Sequence, residues 1–318
     1  MAVTDPAVVV RPLAEADVAE ADRIFRLAFG TFLGAPNPEL FFGDTDSVRT
    51  RWLADPQAAF GAERGGRLVG SNFVTNWGSV GFFGPLTVDP SYWDQGVAQR
   101  LLQPTMELFE SWGTRHAGLF TFAASAKHVA LYQKFGFWPR FLTAIMSTPV
   151  TRPQAPPPGS RLSECAADAR AGIIQEVREL TDAVYPGLDV TREIDAALAQ
   201  NLGDTVLVGD TGGLQGVAVC HVGAGTEAGG GNCYIKFGAV RPGRDGRRRF
   251  CLLLDACHQL AADRGASVLA AGVNAGRDKA WRALRQLGFR VGMQGVSMHR
   301  PNEPGYSTSS TYLIDDWR

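Results

Sequence analysis

Residues 86–102 read LTVDPSYWDQGVAQRLL, an apolar strand running into a turn and then into an amphipathic helix. Leu86, Thr87 and Val88 extend an apolar run that begins at Val80, and Pro90 ends it because proline has no amide proton to give to a ladder. Gly96 stands just ahead of a helical repeat in which Val97, Leu101, Leu108, Phe109 and Trp112 recur on a 3.6-residue period. The first amides of such a helix lack partners within it and carry partial positive charge, so they form an anion site without any lysine. A glycine at the turn lets phosphate oxygens approach the backbone. The stretch reads as a backbone cradle for a phosphate.

Downstream, residues 130–137 read ALYQKFGF, a short helix closed by a glycine in the usual C-terminal position. V-x-P, a Q-G-V-A turn and then L-Y-x-K-x-G-F together resemble the GNAT superfamily of acyl-CoA-dependent N-acyltransferases over residues 8–150. Val88, Pro90, Gly96, Ala98, Leu131, Tyr132, Lys134, Gly136 and Phe137 carry the match. One departure is Trp93, which stands where the family usually has Arg or Gln.

The resemblance implies roles residue by residue. The backbone of Leu86, Thr87 and Val88 would pair with the pantetheine arm and polarise the thioester carbonyl, and amides around Gln95, Gly96, Val97, Ala98 and Gln99 would hold the pyrophosphate. Tyr132 would lie near the sulfur as general acid, since a phenol stays protonated at neutral pH yet can donate to a thiolate. Ser125 occupies a position where the family often has asparagine, and His128 one where it often has alanine. His128 and Tyr132 share a helix face, so His128 is placed to touch the coenzyme or shuttle a proton, and the resemblance implies that Ser125 borders the coenzyme as well. Many family members carry a glutamate on the strand leading to V-x-P, but Phe82, Phe83, Gly84, Pro85 and Leu86 supply no base. Water, Asp89, or a group from the second half or the C-terminus is left for that role, unless the amine arrives already neutral.

The rest of the first half fits an α+β fold. Val8 to Leu13 reads as a strand and Glu15 to Phe29 as a helix, and Asp44 is placed to cap a second helix carrying Val48, Trp52 and Leu53. The period then changes to two, and Ala58 to Glu63, Arg67 to Thr75 and Val80 to Val88 read as an antiparallel meander. Pro104 should bend the helix that opens at Gly96. Phe29, Phe32, Phe41, Phe42, Asn72, Asn76 and Trp77 are candidates to line a pocket for a partly apolar amine.

Residues 151–162, TRPQAPPPGSRL, are dense in proline and read as a stiff connector between a domain at 1–150 and a second at 163–318. The second half repeats the first: Val88 and Val240, Pro90 and Pro242, Gly113 and Gly265, Gly136 and Gly288, Phe137 and Phe289 each stand 152 positions apart. In that register Gly96 corresponds to Arg248 and Tyr132 to Leu284, so the cradle glycine and the acid are both lost. A Gly-rich hairpin is expected at Gly229, Gly230 and Gly231. The second copy reads as degenerate: a scaffold, a substrate wall or a homodimer surface.

Lys+Arg 31 against Asp+Glu 32 gives a net charge of -1, so no global field draws the chain to nucleic acid or a membrane. Five cysteines without a C-x-x-C pattern argue against a disulfide framework or a zinc site, and no metal is expected. The absence of a leader pattern or a long apolar run leads to the expectation of a cytoplasmic protein. Taken together, the expectation is tandem GNAT-like domains moving an acetyl group from acetyl-CoA to a small-molecule primary amine by direct attack. The alternative is a non-catalytic acyl-CoA-binding or regulatory protein.

Overall fold

The 152-residue repeat is visible element by element in the computed structural model, which describes residues 7–155 and 157–318; residues 1–6, and Pro156 of the expected connector, lie outside the described residues. The first half runs β1 (Val9–Pro12), α1 (Val18–Phe32), α2 (Val48–Ala54), β2 (Ala59–Arg64), β3 (Arg67–Trp77), β4 (Val80–Phe83), β5 (Thr87–Val88), α3 (Val97–Ser111), β6 (His116–Thr121), α4 (Ala126–Gln133) and β7 (Trp138–Pro149). The second runs β8 (Ser160–Arg161), α5 (Arg170–Val184), α6 (Thr191–Ala199), β9 (Gly203–Asp210), β10 (Gly213–Gly223), β11 (Gly229–Val240), α7 (Gly246–Asp263), β12 (Val268–Asn274), α8 (Asp278–Gln286), β13 (Arg290–Arg300) and β14 (Leu313–Ile314). The fold is α+β, two GNAT-like units with mixed, mostly antiparallel strands and flanking helices.

Side-chain alternation on β3 fixes which helices cover which face. Phe73 packs with Val18, Ala21 and Phe25 of α1, whereas Val74 joins Leu101, Leu102 and Phe109 of α3 on the opposite side. Asn72, on the α3 side, donates to Thr105 Oγ1 at 2.8 Å, which gives its buried side-chain N–H a partner in the core. α3 continues through Pro104 without interruption.

Three local expectations are corrected. Asp44 does not cap α2: Ser47 is the N-cap residue, Asp46 accepts from the Arg49 amide, and Asp44 instead accepts from the Gly230 amide at 2.8 Å. The glycines at 229–231 are the start of β11 rather than the tip of a hairpin. Trp77 is held away from a pocket role by complete burial with its indole on Glu193, whereas Asn76 accepts from the Gly78 amide and still lines a small cavity between the halves.

Twelve strands form one continuous path in the order β1-β2-β3-β4-β6-β13-β7-β12-β11-β10-β9-β8, with β5 on β3 and β14 on β11. The two closing strands are exchanged. β13, from the end of the chain, pairs with β6 of the first half, and β7, from the end of the first half, pairs with β12 of the second. They also pair with each other at the centre of the sheet. A core containing Trp77, Val80 and Phe82 from the first half and Leu180, Val217, Phe237 and Trp317 from the second seals the two units together.

Candidate active site

The groove of the first half comes from a divergence of neighbouring strands. β4 and β6 are parallel partners over Val80 to Phe82, but the chain then passes through Gly84 and Pro85 into β5, whose recorded pairing is with Gly70 and Ser71 of β3. Among the described residues, β5 has no strand on the side that faces β6, so backbone groups of Leu86, Thr87 and Val88 border an open wedge. Trp93 donates its indole N–H to the Val88 carbonyl at 2.8 Å, so the departure from the family pattern folds back onto the strand and braces the turn.

At the end of the wedge Gly96 is the N-cap residue of α3, with φ 76°, and a Cβ there would meet nothing within 4 Å. The left-handed backbone explains the glycine, and the open space in front of it is what a close-approaching anion needs. Gln95 and Gln99 are exposed beside it while Val97 anchors the helix in the core. Sequence reading missed Arg64 at the end of β2, which donates to Gln95 Oε1 and lies over the Tyr92 ring at 5.5 Å, placing a cation beside the cradle. Lys127 at the start of α4 pairs with Asp94 across the mouth of the loop. The first amides of α3, a strand that among the described residues has no partner toward β6, and two nearby cations together make a site suited to an anion.

Tyr132 belongs to the core that also holds Phe83, Val88 and Val97. It is 7% exposed, its ring stands edge-on to Phe83 at 5.7 Å, and its hydroxyl has no hydrogen-bond partner among the described residues. Burial pushes its phenol above the ordinary range, so it stays protonated. Ser125 caps α4 by accepting from the His128 amide at 3.3 Å. His128 packs on Phe32 at 5.1 Å, and burial, followed by Lys127, lowers its pKa. Phe25, Phe29 and Phe42 stack beyond it, and Phe29 and Phe32 also touch Phe122 at the end of β6, giving the groove an aromatic wall. Asp89 is a turn residue: it accepts from the Ser91 amide and approaches Arg23.

The second half lines the other side. Arg51 of α2 donates to the carbonyl of Gly84, two residues before Leu86, and to that of Arg318, and pairs through two 2.9 Å contacts with Glu227. Glu227 also binds Lys236, which stands 3.5 Å from Glu193. Burial would raise the Glu227 pKa, but Arg51 and Lys236 hold it well below the usual carboxylate range. Nothing local in the sequence marks these residues, because a helix, a loop and a strand of the second half bring them in, Glu227 from 176 positions beyond Arg51.

In the second copy the equivalent groove is full. By the 152-residue register, Gly238, Ala239 and Val240 match Leu86, Thr87 and Val88, and it is there that β14 pairs, Ile314 against Gly238 and Leu313 against Ala239. The ring of Tyr312 lies 2.9 Å from where a Cβ of Gly246 would be, over the first turn of α7. Arg277, at the position matching Ser125, is buried and binds the Leu313 carbonyl and Asp315. The segment 312–316 thus lies along the strand and the first helical turn that match β5 and the start of α3 in the first half.

Residues 22–137 match the model of the acetyltransferase (GNAT) family. No curated protein matches the sequence. Among solved structures, a candidate acetyltransferase from Pyrococcus horikoshii is similar at 14% identity, with a TM-score of 0.69, over 98% of this chain and 95% of that one. A GCN5-related N-acetyltransferase from Sphaerobacter thermophilus is similar at 19% identity, with a TM-score of 0.57, over 95% and 98%. A GCN5-related N-acetyltransferase from Anabaena variabilis aligns at 14% identity and a TM-score of 0.54 over 92% of this chain and 72% of that one. At these identities the likeness is one of fold.

Proposed function

Starting from a chain that carries a GNAT acetyltransferase domain, we propose that the first half binds acetyl-CoA and transfers its acetyl group to the primary amine of a small molecule by direct attack. The observation that carries this reading is Gly96 at φ 76° with open space before it, at the end of a β5 that among the described residues has no strand toward β6; a buried Tyr132 packed on Phe83 of the preceding strand supports it. Acetyl-CoA supplies the activated acyl group. The amides of Gly96 to Gln99 and the Arg64 cation receive the pyrophosphate, the backbone of Leu86 to Val88 orients the arm, and Tyr132 gives its proton to the departing thiolate. Ser125 holds α4 in place rather than touching the arm, and His128 closes the aromatic wall. Cysteine is unnecessary, since the first one along the chain is Cys165.

The aromatic wall formed by Phe29, Phe32, Phe42 and Phe122 favours an acceptor with apolar carbon next to its amine. The second half serves as a wall of this site and binds no coenzyme of its own, because its groove is filled by 312–316. Calorimetry with acetyl-CoA tests both statements. One site per chain, followed by thiol release when amines are added, is the expected outcome. Two sites would refute the blocked groove, and no binding would refute the acyltransferase reading in favour of a protein that has lost the chemistry.

A further inference from the structure

The groove lacks a base of its own, and the interface between the halves offers one. His221 on β10 is 1% exposed, and neither ring nitrogen has a hydrogen-bond partner among the described residues. Such a group is uncommon: a buried imidazole deprived of both partners costs free energy that a folded chain avoids unless something else occupies the space. His221 lines a cavity of about 40 Å³ between the halves, bounded by Thr50 and Arg51 of α2, Thr75 of β3, Glu193 of α6, and Glu227 and Lys236. That volume holds a few water-sized groups, enough for the aminomethyl end of a larger molecule. Its outer rim carries the exposed Arg192, paired with Asp55 at 3.0 Å. Its inner end is Arg51, which grips the Gly84 carbonyl at the head of the coenzyme strand.

The four charged groups facing His221 differ in what they can still do. Arg51 and Lys236 are spent on Glu227, whose two carboxylate oxygens accept from both cations. Glu193 accepts from the Trp77 indole at 3.3 Å and stands 4.0 Å from His221 Nε2. Burial first, then Lys236, keeps the His221 ring neutral. It therefore offers one bare nitrogen to a proton and one N–H to an acceptor.

We propose that this cavity receives the amine end of the acceptor and that His221 is the general base of the transfer, an assignment that rests on the acetyl-CoA reading above. As the amine nitrogen bonds to the thioester carbonyl carbon and the C–S bond breaks, the proton shed by nitrogen goes to the bare ring nitrogen of His221. The sulfur takes its proton from Tyr132, and solvent restores both residues. Glu193 beside the ring stabilises the imidazolium that forms.

Two readouts test this. In the acetyl-CoA-free protein, n-butylamine should shift the ring resonances of His221 in NMR spectra and leave those of His258 unmoved. In turnover with primary alkylamines from methylamine to hexylamine, His221→Gln should lower kcat/KM by about 100-fold or more while acetyl-CoA affinity and melting temperature hold. Glu193→Gln should move the low-pH limb of kcat/KM to lower pH, since the carboxylate that favours the imidazolium is gone; a purely structural role for Glu193 would not move it. If His221→Gln does not fold, the resonance shift and the limb decide. A His221→Gln protein within threefold of wild type, unmoved ring resonances, or acetyl-CoA binding without turnover of any amine in the series would overturn the assignment. Failure to bind acetyl-CoA would instead bring down the reading on which it rests.

Discussion

Replacing Tyr132 by phenylalanine separates chemistry from packing at the centre of the groove. The hydroxyl has no partner among the described residues, whereas the ring packs on Phe83 at 5.7 Å and belongs to the α3-side core. Tyr132→Phe keeps the ring, breaks no hydrogen bond, and should change stability by no more than about 0.5 kcal/mol. Tyr132→Ala removes the ring from a site only 7% exposed and should cost about 3–5 kcal/mol. If the phenol protonates the leaving thiolate, Tyr132→Phe should lower kcat by about 10²–10⁴, or roughly 3–5 kcal/mol of barrier, with acetyl-CoA affinity intact. Because burial raises the phenol pKa, wild-type turnover should show no alkaline limb below about pH 10 from this residue. Thermal melts, calorimetry and a thiol-release assay measure the three quantities. Full turnover in Tyr132→Phe, or equal loss of binding and turnover, would refute the general-acid role.

Other perturbations follow from the geometry. Gly96→Ala meets no neighbour but must adopt φ 76°, so it should cost about 1 kcal/mol of stability; Gly96→Glu brings a negative charge to the cradle and should weaken acetyl-CoA binding at least about tenfold in calorimetry, an energy of about 1.4 kcal/mol. Gly272→Val drives a Cβ to within 2.2 Å of the Asp316 carboxylate and should destabilise the fold by about 1–3 kcal/mol in urea melts while leaving acetyl-CoA stoichiometry at one. His116 and His299, 3.0 Å apart, are held neutral by burial, with pKa values lowered to about 4 and about 3. Because the unfolded chain binds protons at these sites near pH 6.5 and the folded one does not, stability should fall as pH drops from about 6.5 toward 4, by up to about 1.4 kcal/mol per pH unit for each histidine. A urea midpoint flat across that range would contradict their burial as neutral rings.

Much of this was legible in the chain. The helical spacing of Val18, Ala21, Phe25 and Ala28, the strand meander, and the turn at Gly96 are local signals and fold as they read. The repeat was legible too, through five matched pairs at one offset. What escaped was long-range. β7 and β13 carry similar patterns, and no local property says which copy each will join. The plug of the second groove is two residues of strand, Leu313 and Ile314, too short to register as an element. Asp44 looked like a cap because aspartate before a helix usually is one, but the Gly230 amide competed for it from the other half. Arg51, Glu227 and His221 carry no motif at all; only an unpartnered ring in a cavity singles them out.

The exchange of closing strands has a consequence for how the protein comes into being. During synthesis β6 emerges with its β4 edge satisfied and its other edge bare, and the strand that covers it, β13, ends at Arg300. β6 therefore cannot gain its second partner until synthesis has passed Arg300. In the interval an unpaired edge is exposed, and the final pairing spans well over a hundred residues of intervening chain, which favours slow, late closure. Cutting the chain at the connector would not yield two small proteins but two incomplete sheets, each missing a strand held by the other.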